Sequence, residues 1–172
     1  MEILIASIAD AEELTRVEIE SKLKSIPENI DPIEVDNERR LQRWQNYISG
    51  GSSPQKAKVE RVVFKALIDE KMVGYIAGHL TERYGKEAEI QSFYILIEHQ
   101  RMGIGSKLLA QFLDWLAAYG VGSLCVGIDG ANPYQQFYLK YGGAHLNPHW
   151  IFWDDLAVLR TRLADAAFAA NE

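Results

Sequence analysis

Residues 88–109, AEIQSFYILIEHQRMGIGSKLL, decide how this chain is read. An apolar strand runs into the loop Gln100-Arg101-Met102-Gly103-Ile104-Gly105, which opens directly onto an amphipathic helix. Glycines at a helix start leave backbone N–H groups uncovered, and the helix dipole adds partial positive charge there. Such a loop is a receptor for phosphate groups.

The loop departs from two other phosphate motifs. A dinucleotide-binding loop reads G-x-G-x-x-G/A, but Leu108 stands where the third small residue belongs. A P-loop reads G-x-x-x-x-G-K-[ST], and Gly103-Ile104-Gly105-Ser106-Lys107 has the wrong spacing. A nucleotide-binding α/β protein is therefore disfavoured. The form Gln/Arg-x-x-Gly-x-Gly between strand and helix resembles the signature of GNAT (GCN5-related) N-acetyltransferases. Residues 132–143, NPYQQFYLKYGG, resemble that family's second signature, N-P-x-x-x-F-Y-x-x-x-G-G. The two stand in the family's order along the chain.

The whole chain is compatible with that resemblance. Its 172 residues fit one domain, residues 1–172, with 48% hydrophobic and 24% charged residues. The net charge of −6, with no basic stripe, argues against nucleic acid as a partner and is compatible with an amine substrate. The single cysteine, Cys125, excludes an internal disulfide and sits among apolar residues, which suits a buried strand better than a catalytic thiol. The four histidines have no metal-site spacing, so no metal is expected. The N-terminus lacks the basic start of a signal peptide, and no apolar run approaches the ~18 residues of a membrane span. The expectation is a cytoplasmic protein without membrane contact.

Periodicity places a strand at 3–7 and a helix at about 10–23 with Asp10 as its N-cap. After Pro27 and Pro32 comes a helix at about 35–48, then a hairpin of strands at 60–69 and 73–82 turning at Glu70-Lys71-Met72. The strand at 88–97 follows, then a helix at about 105–119 and a strand at 123–129. A short helix from Asn132 to Tyr141 precedes an extended stretch at 144–153. Asp154 or Asp155 caps a last helix reaching about residue 169. This order predicts an α/β protein with a mixed sheet and helices on both faces. It is also the element order of the GNAT fold, a single mixed, mostly antiparallel sheet. Only about ten residues separate Gly143 from Asp154, so the usual final strand pair is either a very short hairpin at Asn147-Pro148 or lacks its second strand. Leu156, Leu159, Leu163 and Phe168 give the last helix an apolar face that packs on the domain or makes a homodimer contact.

The resemblance implies an acyltransferase that moves acetyl from acetyl-CoA to a primary amine in a ternary complex. Such chemistry must remove a proton from an ammonium, hold charge on the thioester oxygen, and protonate the departing thiolate. It implies Glu89, eleven residues before Gln100, as the base acting through water, and Tyr138 as the acid facing the coenzyme sulfur. Backbone groups of Phe93, Tyr94 and Ile95 would bond the pantetheine arm, with the Ile95 N–H at the thioester oxygen. Gln100, Arg101, Met102, Gly103, Ile104, Gly105 and Ser106 would surround the pyrophosphate. Asn132 would bond the coenzyme, a role compatible with capping the short helix. Trp44 lines a substrate groove or packs in the core. The long 25–54 stretch resembles GNATs acting on small amines more than peptide or protein acetylating members. A non-catalytic acyl-CoA-binding regulatory module is the alternative from another class, and the retention of Glu89 and Tyr138 speaks against it.

Overall fold

The computed structural model describes residues 1–25, 30–128 and 132–169. The expected break at Pro27 and the expected strand end at Asp129 lie outside them. The elements are β1 (Glu2–Ile5), α1 (Ala11–Ser25), α2 (Asn37–Ser49), β2 (Ala57–Ile68), β3 (Lys71–Thr81), β4 (Ala88–Ile95), α3 (Ile104–Ala117), β5 (Leu124–Gly127), α4 (Gln135–Lys140), β6 (Ala144–Asn147), β7 (Trp150–Trp153) and α5 (Leu156–Ala169). They build one seven-stranded sheet in the order β1-β2-β3-β4-β5-β7-β6. Every neighbouring pair is antiparallel except β4–β5.

Alternation along β3 feeds a core on each face of the sheet. Ile76 joins Leu108, Leu109, Phe112 and Leu116 of α3, while Tyr75 and Ala77 join Leu14 and Val17 of α1 and Trp44 of α2. The mixed sheet with helices on both faces is therefore the expected one.

Local differences from the sequence reading have identifiable causes. The first helix is preceded by a 3₁₀ turn at Ile8–Asp10, because the Asp10 carboxylate turns back to the Ser7 N–H at 2.8 Å and to Lys65 Nζ at 2.6 Å. Asp36 caps α2 by accepting from Arg39 N at 2.8 Å. The β2–β3 turn sits at Asp69-Glu70, whose φ values of 48° and 65° match the strand twist of a two-residue hairpin.

The C-terminal end carries both strands of its pair. The Asn147 side chain accepts from His149 N at 2.8 Å, closing a turn tight enough for β6 and β7 to pair within the short stretch. Leu156, Leu159 and Leu163 of α5 are buried against the α3 face, while Phe168 is 71% exposed. Packing on the domain thus accounts for the three leucines. No helix among the described residues is long and apolar enough to cross a membrane.

Gly143 shows why the Gly-Gly pair is there. A Cβ at this position would lie 2.6 Å from Ile151, 2.8 Å from Trp153 and 3.0 Å from the Tyr138 carbonyl. Gly143→Ala is expected to cost about 1–3 kcal/mol, read as a lowered midpoint in urea unfolding. An unchanged midpoint would show that β7 shifts freely.

Cys125 is fully buried in β5, and burial pushes its thiol up to about 12. A thiol reagent at about pH 8.5, where free cysteine is half ionised, should leave the folded protein unmodified and label it fully in denaturant.

Candidate active site

The site starts where two parallel strands part. β4 and β5 pair only from Ala88–Ile90 to Leu124–Val126; β4 then runs on to Ile95 while β5 stops at Gly127. A register shift between Ala77 and Gly78 leaves Gln91 bulged at the point of divergence. Beyond it, Ser92, Tyr94 and Leu96 face β3: Leu96 N donates to Val73 O at 2.9 Å, and hydrogen-bonded pairs alternate from there. By the same alternation the backbone groups of Phe93 and Ile95 point into the wedge. Of the three residues expected to offer backbone groups, Tyr94 is turned away, toward Tyr75.

The loop at 100–105 closes the open end of the wedge. Arg101 and Gly103 both have positive φ, 61° and 77°, which curls the chain so that successive N–H groups converge. No side chain caps α3, and its first helical bond runs from Lys107 N to Gly103 O. The N–H groups of Ile104, Gly105 and Ser106 therefore lie ahead of the helical ladder and are free to face an anion. Arg101 and Met102 are exposed at the rim, whereas Ile104 is buried and anchors the turn. The Gln100 side chain donates to Ile95 O at 3.0 Å and ties the loop to the end of β4.

The two sequence signatures meet in space. A Cβ on Gly105 would stand 3.1 Å from Ile95 and 3.3 Å from Phe137, so α3 approaches β4 and α4 closely here. Ser106 Oγ lies 2.8 Å from Tyr141 Oη, and the Phe93 and Phe137 rings pack edge to face at 5.6 Å. The Asn132 side chain accepts from Tyr134 N at 2.8 Å, shaping the turn into α4. Tyr138 follows on that helix, half-buried, its ring against Phe137 and Trp153. Burial pushes its phenol well above the ordinary value, so it stays protonated, and among the described residues its hydroxyl makes no hydrogen bond.

Glu89 stands elsewhere on β4. It is 4% exposed, faces the α1–α2 side, and accepts from Arg83 Nε at 2.8 Å on Oε2. His79, its register partner on β3, is wholly buried with Nε2 at 3.6 Å from the same oxygen. Its Nδ1 lies 3.0 Å from Tyr47 Oη. With Tyr47 as donor to Nδ1 the ring proton would sit on Nε2, which has no hydrogen-bond partner among the described residues. Nothing in the spacing of the histidines singles out His79; only the β3–β4 register brings it to Glu89.

On this same face, a cavity of about 210 Å³ lies under α2, against the bulge at Gln91 and Ser92. Glu18, Arg43, Trp44 and Tyr47 contribute to its wall, and the 52–54 loop borders it. Trp44 is both core and lining: it is 5% exposed, donates from Nε1 to Glu18 at 2.9 Å, and packs edge-on against Tyr75 at 5.0 Å. Burial, then the charge of Glu18, pushes the Tyr94 phenol above its ordinary value. The wedge where β4 leaves β5 thus abuts a small cavity at Gln91 and Ser92.

A model of the acetyltransferase (GNAT) family matches residues 19–143. The chain belongs to that family. It is 27% identical to the uncharacterized N-acetyltransferase YuaI of Bacillus subtilis (strain 168), over 92% of this chain and 95% of that one. Its fold is similar to that of PaiA N-acetyltransferase from Thermoplasma acidophilum in complex with coenzyme A, with a TM-score of 0.67, 20% identity and coverage of 88% and 98% of the two chains. An acetyltransferase from Thermus thermophilus is similar at TM-score 0.68, 21% identity and coverage of 89% and 97%. The chain is accordingly a GNAT acyltransferase with the GNAT fold.

Proposed function

We propose that this GNAT protein transfers acetyl from acetyl-CoA to the primary amine of a small molecule by direct attack in a ternary complex. The observation that carries this reading is the wedge between β4 and β5, open to the convergent N–H groups of α3 at one end and to the cavity at Gln91 and Ser92 at the other. The cavity, about 210 Å³, has room for a small acceptor and little more.

Bound acetyl-CoA supplies the acetyl thioester. The N–H groups of Ile104, Gly105 and Ser106 hold its pyrophosphate, with Arg101 and Met102 at the rim. The backbone groups of Phe93 and Ile95 orient the arm leading to the thioester. Phe93 adjoins Ser92 in the cavity wall, whereas Ile95 lies two residues farther and has its carbonyl bound to Gln100. The N–H of Phe93, rather than that of Ile95, is therefore assigned to the thioester oxygen. A rigid backbone donor there needs no reorganisation as charge develops. Tyr138 gives its proton to the leaving sulfur.

Glu89 takes the amine proton. It does not line the cavity, but Tyr47 does, and Tyr47 leads to Glu89 through His79. The amine proton passes to Tyr47 Oη, the Tyr47 proton to His79 Nδ1, and the Nε2 proton to Glu89. Nε2 must close from 3.6 Å to hydrogen-bond distance for the last transfer.

The test is calorimetric titration with acetyl-CoA followed by an amine panel read by free-thiol release. Saturable binding in the micromolar range and amine-dependent thiol release are expected. Absent binding sinks the reading; binding without turnover on any amine points to the regulatory module instead.

A further inference from the structure

The net charge of −6 invites a polycationic acceptor, but the charges at the cavity point elsewhere. Glu18 and Arg43 are the charged residues lining it among the described residues. Glu18 is already paired: Lys22 Nζ at 3.0 Å and Arg40 Nη1 at 3.2 Å share Oε1, and Trp44 Nε1 holds Oε2 at 2.9 Å. Lys22 also reaches Glu34 at 3.3 Å. The group Glu18, Glu34, Lys22 and Arg40 is thus neutral as a unit, with no carboxylate left over for an incoming ammonium.

Arg43 is the opposite case. It is exposed, lines the cavity, and makes no hydrogen bond or ion pair among the described residues. A guanidinium in that position is a fork for a carboxylate. It also repels a second ammonium on the acceptor.

Resting on the acetyltransferase reading above, we propose that the acceptor is an amine that also carries a carboxylate, its amino end at Gln91 and Ser92 and its anionic end at Arg43. Trp44 and Tyr47 would flank its stem. Diamines and other polycations would be disfavoured by Arg43 and find no free carboxylate in exchange.

Three acceptors of one length decide this: 5-aminopentanoate, pentylamine and 1,5-diaminopentane, compared by kcat/KM from thiol release. The aminocarboxylate should be preferred over pentylamine by roughly tenfold or more, and the diamine should be the poorest. Arg43→Gln should erase the preference for the aminocarboxylate, and Arg43→Glu should reverse the order of aminocarboxylate and diamine. Arg43 is on the surface, so neither change disturbs the core. A wild-type preference for the diamine, or a ratio unmoved by both substitutions, overturns the proposal. If none of the three is acetylated, titration of 5-aminopentanoate into the coenzyme A complex decides: saturable binding weakened by Arg43→Glu supports it, and no binding overturns it. The acetyl-CoA titration reports separately on the reading beneath it.

Discussion

Tyr138→Phe is expected to lower kcat by about a hundredfold while leaving coenzyme affinity within about twofold. The ring packs against Phe137 and Trp153, and phenylalanine keeps that packing. The hydroxyl makes no hydrogen bond among the described residues, so its removal orphans no buried partner. What is lost is the proton donor to the departing sulfur, which then leaves as a bare thiolate. Burial holds the phenol protonated, so this loss should persist across neutral pH and show no step there. Thiol-release kinetics at saturating acetyl-CoA give kcat, and calorimetry gives the affinity. Unchanged turnover would remove Tyr138 from the chemistry; lost affinity would make it a binding residue.

Glu89→Gln should reduce turnover by about a hundredfold at neutral pH, with partial recovery as the pH approaches the amine's pKa of ~10. The sign follows from the substrate: below its pKa the amine needs a base, and above it the solution has already removed the proton. Glutamine can still accept from Arg83, so the fold should survive, although a half-buried guanidinium that loses its counter-charge costs stability. A melting curve separates the two effects, since only the catalytic one is pH-recoverable at constant folded fraction. Tyr47→Phe breaks the same proton route at its entrance and should reproduce the Glu89→Gln profile. Wild-type turnover in Tyr47→Phe would instead send the proton to Glu89 through water.

How legible the site was in the sequence depends on whether its parts are local. The loop from Gln100 to Gly105 and the stretch from Asn132 to Gly143 are read from contiguous residues, because a helix start and a Gly-Gly stop are set by nearest neighbours. The roles of single residues inside them shifted once distances were known. Gln100 proved to be tied to Ile95, and Tyr94 to face β3, since side-chain reach and strand alternation are set by pairing. The acceptor side was nearly invisible. Glu18, Arg43, Tyr47 and His79 come from α1, α2 and β3, with no shared spacing to announce them. His79 carried no signal either, because only the observed β3–β4 register sets it opposite Glu89.

The sequence alone determined the family resemblance, the mixed sheet with helices on both faces, and the uncapped helix start at the glycine loop. These follow from periodicity, caps and glycine placement, which act over a few residues. Tertiary structure alone decided that β4 leaves β5 at Gln91, that Phe93 and Ile95 face the resulting wedge, and that the C-terminal strand pair is present. It also decided the electrostatics of the acceptor cavity. Net charge counts residues wherever they lie, whereas a bound amine feels which carboxylates are already paired. Lys22 and Arg40 offset the charge of Glu18 while Trp44 hydrogen-bonds its other oxygen, and nothing among the described residues pairs with Arg43.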